Sequence, residues 1–139
     1  MIDSFKTNQA CTAKLKAFCD THSFTLIPFG SGQVLGTDKA YVKERLLDNS
    51  ETTIGLSGGS SDIERPIYQI SVLTPKAQSQ FINKQMTHTV KSCFRKAEII
   101  LQDSEQTVQV QDTNKSGVMF TETHAESVLS VNLTVIASN

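Results

Sequence analysis

The sequence predicts an α+β domain, a mixed and mostly antiparallel sheet with two helices packed on one of its faces. Three observations predict it. Two segments repeat apolar residues at helical spacing, and several short segments alternate apolar with polar residues. Glycine, proline, asparagine and aspartate separate these segments at short intervals. The chain has 139 residues, so it reads as one domain, 1–139, able to bury roughly two thirds of its unfolded surface. Two helices against a sheet of five to seven strands make a two-layer architecture.

The first helix is expected from about Ser4 to Asp20, capped by Ser4 or Asp3, with Cys11, Leu15 and Phe18 at helical spacing and Cys19 beside them. "SFTLIPFG" follows as a short strand, and Pro28 places its end at an edge because proline cannot donate to a ladder. "GSGQVLGTDK" is a glycine-punctuated loop. "AYVKERLLD" reads either as a strand, with Ala40, Val42 and Leu46 on one face, or as a helix capped by Thr37 or Asp38. The alternation favours strand, and "TTIGL" is a candidate partner for it. "SGGSSD" is a mobile connection by composition.

"RPIYQISVL" is the clearest strand, with Tyr68, Ile70 and Val72 on one face. Pro75 ends it where a helix start tolerates proline, and the second helix is expected from about Lys76 to Lys96. Four strand candidates close the chain: "EIILQD", "TVQVQD", "GVMFTET" and "SVLSVNLTVIA". In the last, Leu129, Val131, Leu133 and Val135 alternate with Ser130, Asn132 and Thr134, so one side is covered and the other wet. "DTNKSG", Asp112 to Gly117, is expected to be a hairpin loop with a polar tip.

Composition restricts function. A net charge of -1 gives no overall pull toward nucleic acid or anionic membranes. No apolar run approaches the ~18 residues of a membrane span. The N-terminus lacks the build of a secretory signal, so synthesis in a cytoplasm is expected. Cys11, Cys19 and Cys93 form no CxxC pair and are expected to be buried small hydrophobes.

"GSGQVLG" has neither the dinucleotide spacing nor the phosphate-loop spacing, since Leu35 stands where the third glycine belongs. His22, His88 and His124 lack ligating neighbours at metal spacing, and no GxSxG elbow occurs. No cofactor, metal or catalytic residue is therefore expected.

The second helix carries the strongest physical signal. Ile82, Met86, Val90, Cys93 and Ala97 fall on one side at ~100° per residue, and Lys84, His88, Lys91 and Arg95 form a stripe almost opposite. From Glu98 onward the charges are Glu98, Asp103, Glu105, Asp112, Glu122 and Glu126 against Lys115 alone. A domain basic on one element and acidic on others is suited to meeting a copy of itself head to tail, a contact that closes into a ring when the rotation allows. Lys84, His88, Lys91, Arg95, Glu122 and Glu126 are the candidate protein-interface residues.

The order and wording of these segments resemble the tail terminator (tail completion) proteins of long, non-contractile-tailed bacteriophages. "LIPFG" at Leu26–Gly30 stands for a strand ending in a "PF"-like turn, and "YVKERLL" at Tyr41–Leu47 for a "YVRVRLL"-like strand. "PIYQISVLTPKA" at Pro66–Ala77 is similar to "GIYQVDVFVPKG", and a long helix and a β-rich C-terminus follow. The similarity covers roughly Phe24 to Ile136 and favours strand for "AYVKERLLD". Ala77 departs from the usual glycine, and Glu44 interrupts the aliphatic face of its strand.

The resemblance implies a non-enzymatic homo-oligomeric ring, a hexamer in most such proteins, at the head–tail junction of a virion. It would cap the tail tube, bind tail-tube and head–tail connector proteins, and let DNA pass through its lumen without specific binding. A head–tail joining ring, a tail-tube subunit and a small ligand-binding module are the alternatives.

Overall fold

The computed structural model describes residues 2–31, 38–48, 51–53, 62–78 and 80–137. Helix α1 spans Ser4–His22, begun by the Asp3 side chain, which accepts from the Phe5 N–H. It stops at Ser23 in the left-handed region (φ 58), whose N–H bonds back to Asp20 and Cys19 carbonyls. Thr7, Cys11, Leu15 and Cys19, four residues apart, are its buried face.

The strands that follow are β1 (Leu26–Ile27), β2 (Tyr41–Asp48), β3 (Glu51–Thr53), β4 (Asp62–Glu64) and β5 (Ile67–Pro75). Helix α2 (Gln80–Lys91) precedes β6 (Ile99–Gln102), β7 (Gln106–Lys115), β8 (Met119–Phe120) and β9 (His124–Ala137). Among the described residues all the strands belong to one sheet, and every pairing is antiparallel except β1 with β2. The expected α+β class, mixed sheet and helix layer are therefore what the chain forms.

Strand β9 is the spine. One of its edges pairs β5 and then β4, and the other pairs β8 and then β7. The β5 register runs unbroken into β4 and is interrupted only at Arg65–Pro66, where proline has no N–H to give; Leu133 N–H still reaches the Pro66 carbonyl at 3.0 Å. The pairing of β3 with β4 keeps the register that β2 makes with β5, Asp48 lying opposite Ile67 and Glu51 opposite Glu64. Thr52 and Thr53 of "TTIGL" lie in β3 opposite Ile63 and Asp62 of β4 rather than against β2, and 54–56 lie outside the described residues.

Both helices cover the same sheet face. Cys11, Leu15 and Cys19 of α1, Val90 of α2, and Cys93 and Phe94 beyond it form one core with Val42, Tyr68, Ile70, Val72, Val108, Val110, Leu129, Val131, Leu133 and Val135. Full burial of each aliphatic chain stabilises by roughly 1.5–3 kcal/mol. The other face of β9 carries half-buried Ser130, Asn132 and Thr134, as the alternation requires.

Three expectations need correction. The second helix is shorter than 76–96. Pro75 stays in β5 opposite His124, and the Lys76 N–H bonds to the Thr123 carbonyl, so the helix starts only at Gln80. After Lys91 the chain tightens into turns that bury Cys93 and Phe94, and Ala97, at φ 68, bonds across to Val110. The inward face of α2 is Asn83, Thr87 and Val90; Ile82 is exposed, and Cys93, Arg95 and Ala97 lie outside the helix. Finally, Asp112–Lys115 are not a loop. After a bulge between Val110 and Asp112 they continue β7 against β9.

Candidate functional site

Lys84, His88 and Lys91 lie exposed on α2 as the spacing predicts, and so point away from the sheet. A polar pin sets that orientation. Asn83, fully buried, donates through Nδ2 to the carbonyls of Val72 (3.2 Å) and Ala125 (3.0 Å) and to Thr74 Oγ1 (3.2 Å). Its Oδ1 accepts from the Ser127 (2.6 Å) and Thr87 (3.3 Å) hydroxyls. Arg95 does not extend the stripe. It sits past the helix end in a groove of ~800 Å³ with Lys14, Phe18, His22 and Glu98.

The acidic residues divide into two groups. Glu98 takes the Lys14 ammonium at 2.6 Å, and Lys6 bridges Asp103 (3.4 Å) and Glu105 (2.8 Å), so part of the acidic C-terminal half serves to seat α1. Burial opposes ionisation of Glu98, but Lys14 and the Arg95 N–H outweigh it and hold the carboxyl below its usual range. Glu122 is exposed at the tip of the β8–β9 hairpin, and Glu126 is half-buried on the sheet face turned away from the helices. The six candidate residues thus do not converge: the basic ones line the helix layer, and the two acids lie at the sheet's end and far side.

A second constellation is one that sequence reasoning did not assemble. Glu44 is 4% exposed. Its Oε2 accepts from Thr12 Oγ1 at 2.5 Å and from the Tyr68 hydroxyl, and its Oε1 accepts from the Phe29 N–H at 3.2 Å. Burial first, and then the hydrogen bond to Glu44, push the Tyr68 phenol far up, so it remains a donor. The only signal in the sequence was a charge interrupting an aliphatic strand face. Through Phe29 the carboxylate ties down the "PFGS" turn, in which Ser31 N–H bonds to the Pro28 carbonyl (3.2 Å) and Gly30 takes φ +77. A type II turn needs such a residue at its third position. Phe29 itself is left 60% exposed.

Beside this turn lies a groove of ~400 Å³ lined by Phe29, Ser31, Lys43, Arg45, Ser71 and Glu126, among others. Ser71 is fully buried at the groove, and its hydroxyl has no hydrogen-bond partner. Arg45 is the extra residue of a bulge between Glu44 and Leu46.

Cys11, Cys19 and Cys93 are buried and free, as expected. Burial raises their thiols to about 12, 11 and 12, so they stay protonated and weakly nucleophilic near neutrality. Among the described residues no group of His, Cys, Asp and Glu is arranged to hold a metal ion, and no helix is long and apolar enough to cross a membrane. The "GSGQVLG" and "SGGSSD" loops fall almost entirely outside the described residues. What the site offers chemically is recognition, through the exposed Phe29 ring and the exposed cations Lys43 and Arg45.

No family model matches the sequence, and no curated protein matches it. Solved structures are similar in fold, among them one with a TM-score of 0.69 over 100% of this chain and 98% of its own, at 12% identity. At that identity the likeness defines a two-layer α+β domain and its topology.

Proposed function

We propose that this protein is a tail terminator of a long, non-contractile-tailed bacteriophage. It works as a ring, hexameric on this reading, that caps the last ring of tail-tube protein, stops tube growth and presents the surface to which the head connector joins. It is made in the host cytoplasm, acts at the head–tail junction and catalyses no reaction; DNA passes through its lumen without specific contacts.

One observation carries the assembly part of this reading. The domain has a complete core of its own, yet Phe5, Phe29, Phe81, Met119 and Phe120 are each 50–65% exposed, on α1, α2, β8 and the turn after β1. Large apolar side chains left out on several sides of a small domain suit a subunit with several neighbours. The segments that carry the resemblance support the particular assembly, since "LIPFG", "YVKERLL" and "IYQISVLTP" form adjacent β1, β2 and β5. The exposed Lys84, His88 and Lys91 on α2 suit docking to the tube or connector, where they would set register more than affinity.

Electron microscopy of tails assembled without this protein tests the reading. Overlong tubes lacking heads are expected; tails of normal length joined to heads would overturn it. A tail-tube subunit would instead polymerise without limit when purified, which mass measurement of the protein alone and with tail tubes would reveal.

A further inference from the structure

We infer that the lateral contact between copies joins the two opposite edges of one stretch of the sheet: the Phe29–Lys43–Arg45 groove of one subunit receives the Met119–Glu122 hairpin of the next. This rests on the ring reading above and supplies its interface.

At the end of the sheet near Pro75 the strands lie in the order β1, β2, β5, β9, β8. Strand β1 covers only two residues of β2, and β8 is two residues long. These are short outer strands, too brief to template a long ladder with another chain, so side chains must make the contact. The two edges are chemically unlike. The β1–β2 edge carries Phe29, 60% exposed and held by the turn that Glu44 pins, with exposed Lys43 and Arg45. The β8 edge carries Met119 and Phe120, 50% and 51% exposed, with exposed Glu122 two residues on.

An aromatic anchor with two cations on one edge therefore faces an apolar pair with a carboxylate on the other. Rigid aromatic and arginine residues are the usual centres of binding energy. Glu126 lines the same groove, and Glu44 reaches it, but the Glu44 carboxylate is already engaged by three donors.

Unlike surfaces on opposite edges make a heterologous contact, which generates a ring or a filament rather than a two-fold dimer. The stripe on α2 lies on the helix layer and takes no part in it.

Charge exchange tests this. The full chain, its K43E/R45E variant and its E122K variant are each measured by native mass spectrometry and sedimentation at low ionic strength, where charge effects are least screened. The wild type is expected to assemble, and each variant to associate at least about tenfold more weakly, because like charges then meet. Mixing the two variants is expected to restore assembly, in even-numbered rings, since acidic and basic edges alternate again. F29A is expected to weaken assembly; mixed with E122K it regains the one contact in which both edges are unaltered and so forms pairs without closing a ring, and mixed with K43E/R45E it gains nothing. K84E/K91E is expected to assemble as the wild type does.

A wild-type ring that K43E/R45E and E122K leave intact overturns this contact but not the ring. Failure of the mixture to restore assembly overturns it as well. A wild type that stays monomeric, alone and with tail tubes, overturns the ring reading and this contact with it.

Discussion

Replacing Asn83 with alanine should be among the most damaging single changes in the helix layer. The side chain is fully buried and is the meeting point of α2, β5 and β9. Truncation removes its bonds to the Val72 and Ala125 carbonyls and to the Ser127 and Thr87 hydroxyls. Each net hydrogen bond contributes about 1 kcal/mol, and a stranded buried hydroxyl such as Ser127 costs about 1–3 kcal/mol. Allowing for partial relaxation, a loss of ~3–4 kcal/mol follows, a large share of a typical 5–15 kcal/mol.

Urea unfolding measures it: the midpoint should fall with the slope unchanged, at two protein concentrations to separate folding from assembly. Adding S127A should recover part of the loss, because the stranded hydroxyl is then gone, giving a coupling energy of ~1 kcal/mol or more. Exposed K84A serves as the control and should shift stability by less than ~0.5 kcal/mol. A loss below ~1 kcal/mol for N83A, or strict additivity with S127A, would refute the view that this amide holds α2 to the sheet.

The thiols of Cys11, Cys19 and Cys93, raised by burial to about 12, 11 and 12, should react with a thiol reagent at pH 8 only after unfolding; rapid labelling of the native protein would contradict this. A97G should be neutral or stabilising by up to ~1 kcal/mol, since alanine at φ 68 is strained and glycine is not; a thermal melt showing a clear loss would count against strain there. Asp103 is held below its usual range, chiefly by the Gln106 and Glu105 N–H groups and then by Lys6. Its contribution is therefore complete above the unfolded carboxylate range and lost as pH falls through the lowered folded value. D103N should weaken the protein at pH 7 and converge with wild type in strong acid; a constant difference across that window would exclude the linkage.

How far the sequence alone reached is clearest at β5 and β9. Their alternation, and for β5 the prolines at either end, identified the strands and the covered side, because period-two burial is written locally in consecutive residues. Helix α1 was legible for the same reason, its buried positions recurring every four residues behind an aspartate cap. Of the candidate interface residues, Lys84, His88 and Lys91 were correctly read as exposed on the second helix, and Arg95 was assigned to a helix that ends four residues before it.

Tertiary structure decided what depends on partners distant in sequence. The length of α2 is set by the Lys76–Thr123 and Ala97–Val110 bonds and by burial of Cys93 and Phe94, none of which local spacing encodes. Glu44 reads as an interruption until Thr12, Tyr68 and Phe29 arrive from other elements to hold its oxygens. Half of the apparent acidic surface is consumed by Lys6 and Lys14 of α1, far away along the chain. A residue's own pattern determines which way it faces, whereas its charge or hydrogen bonds become free or spent only when the fold brings up their partners.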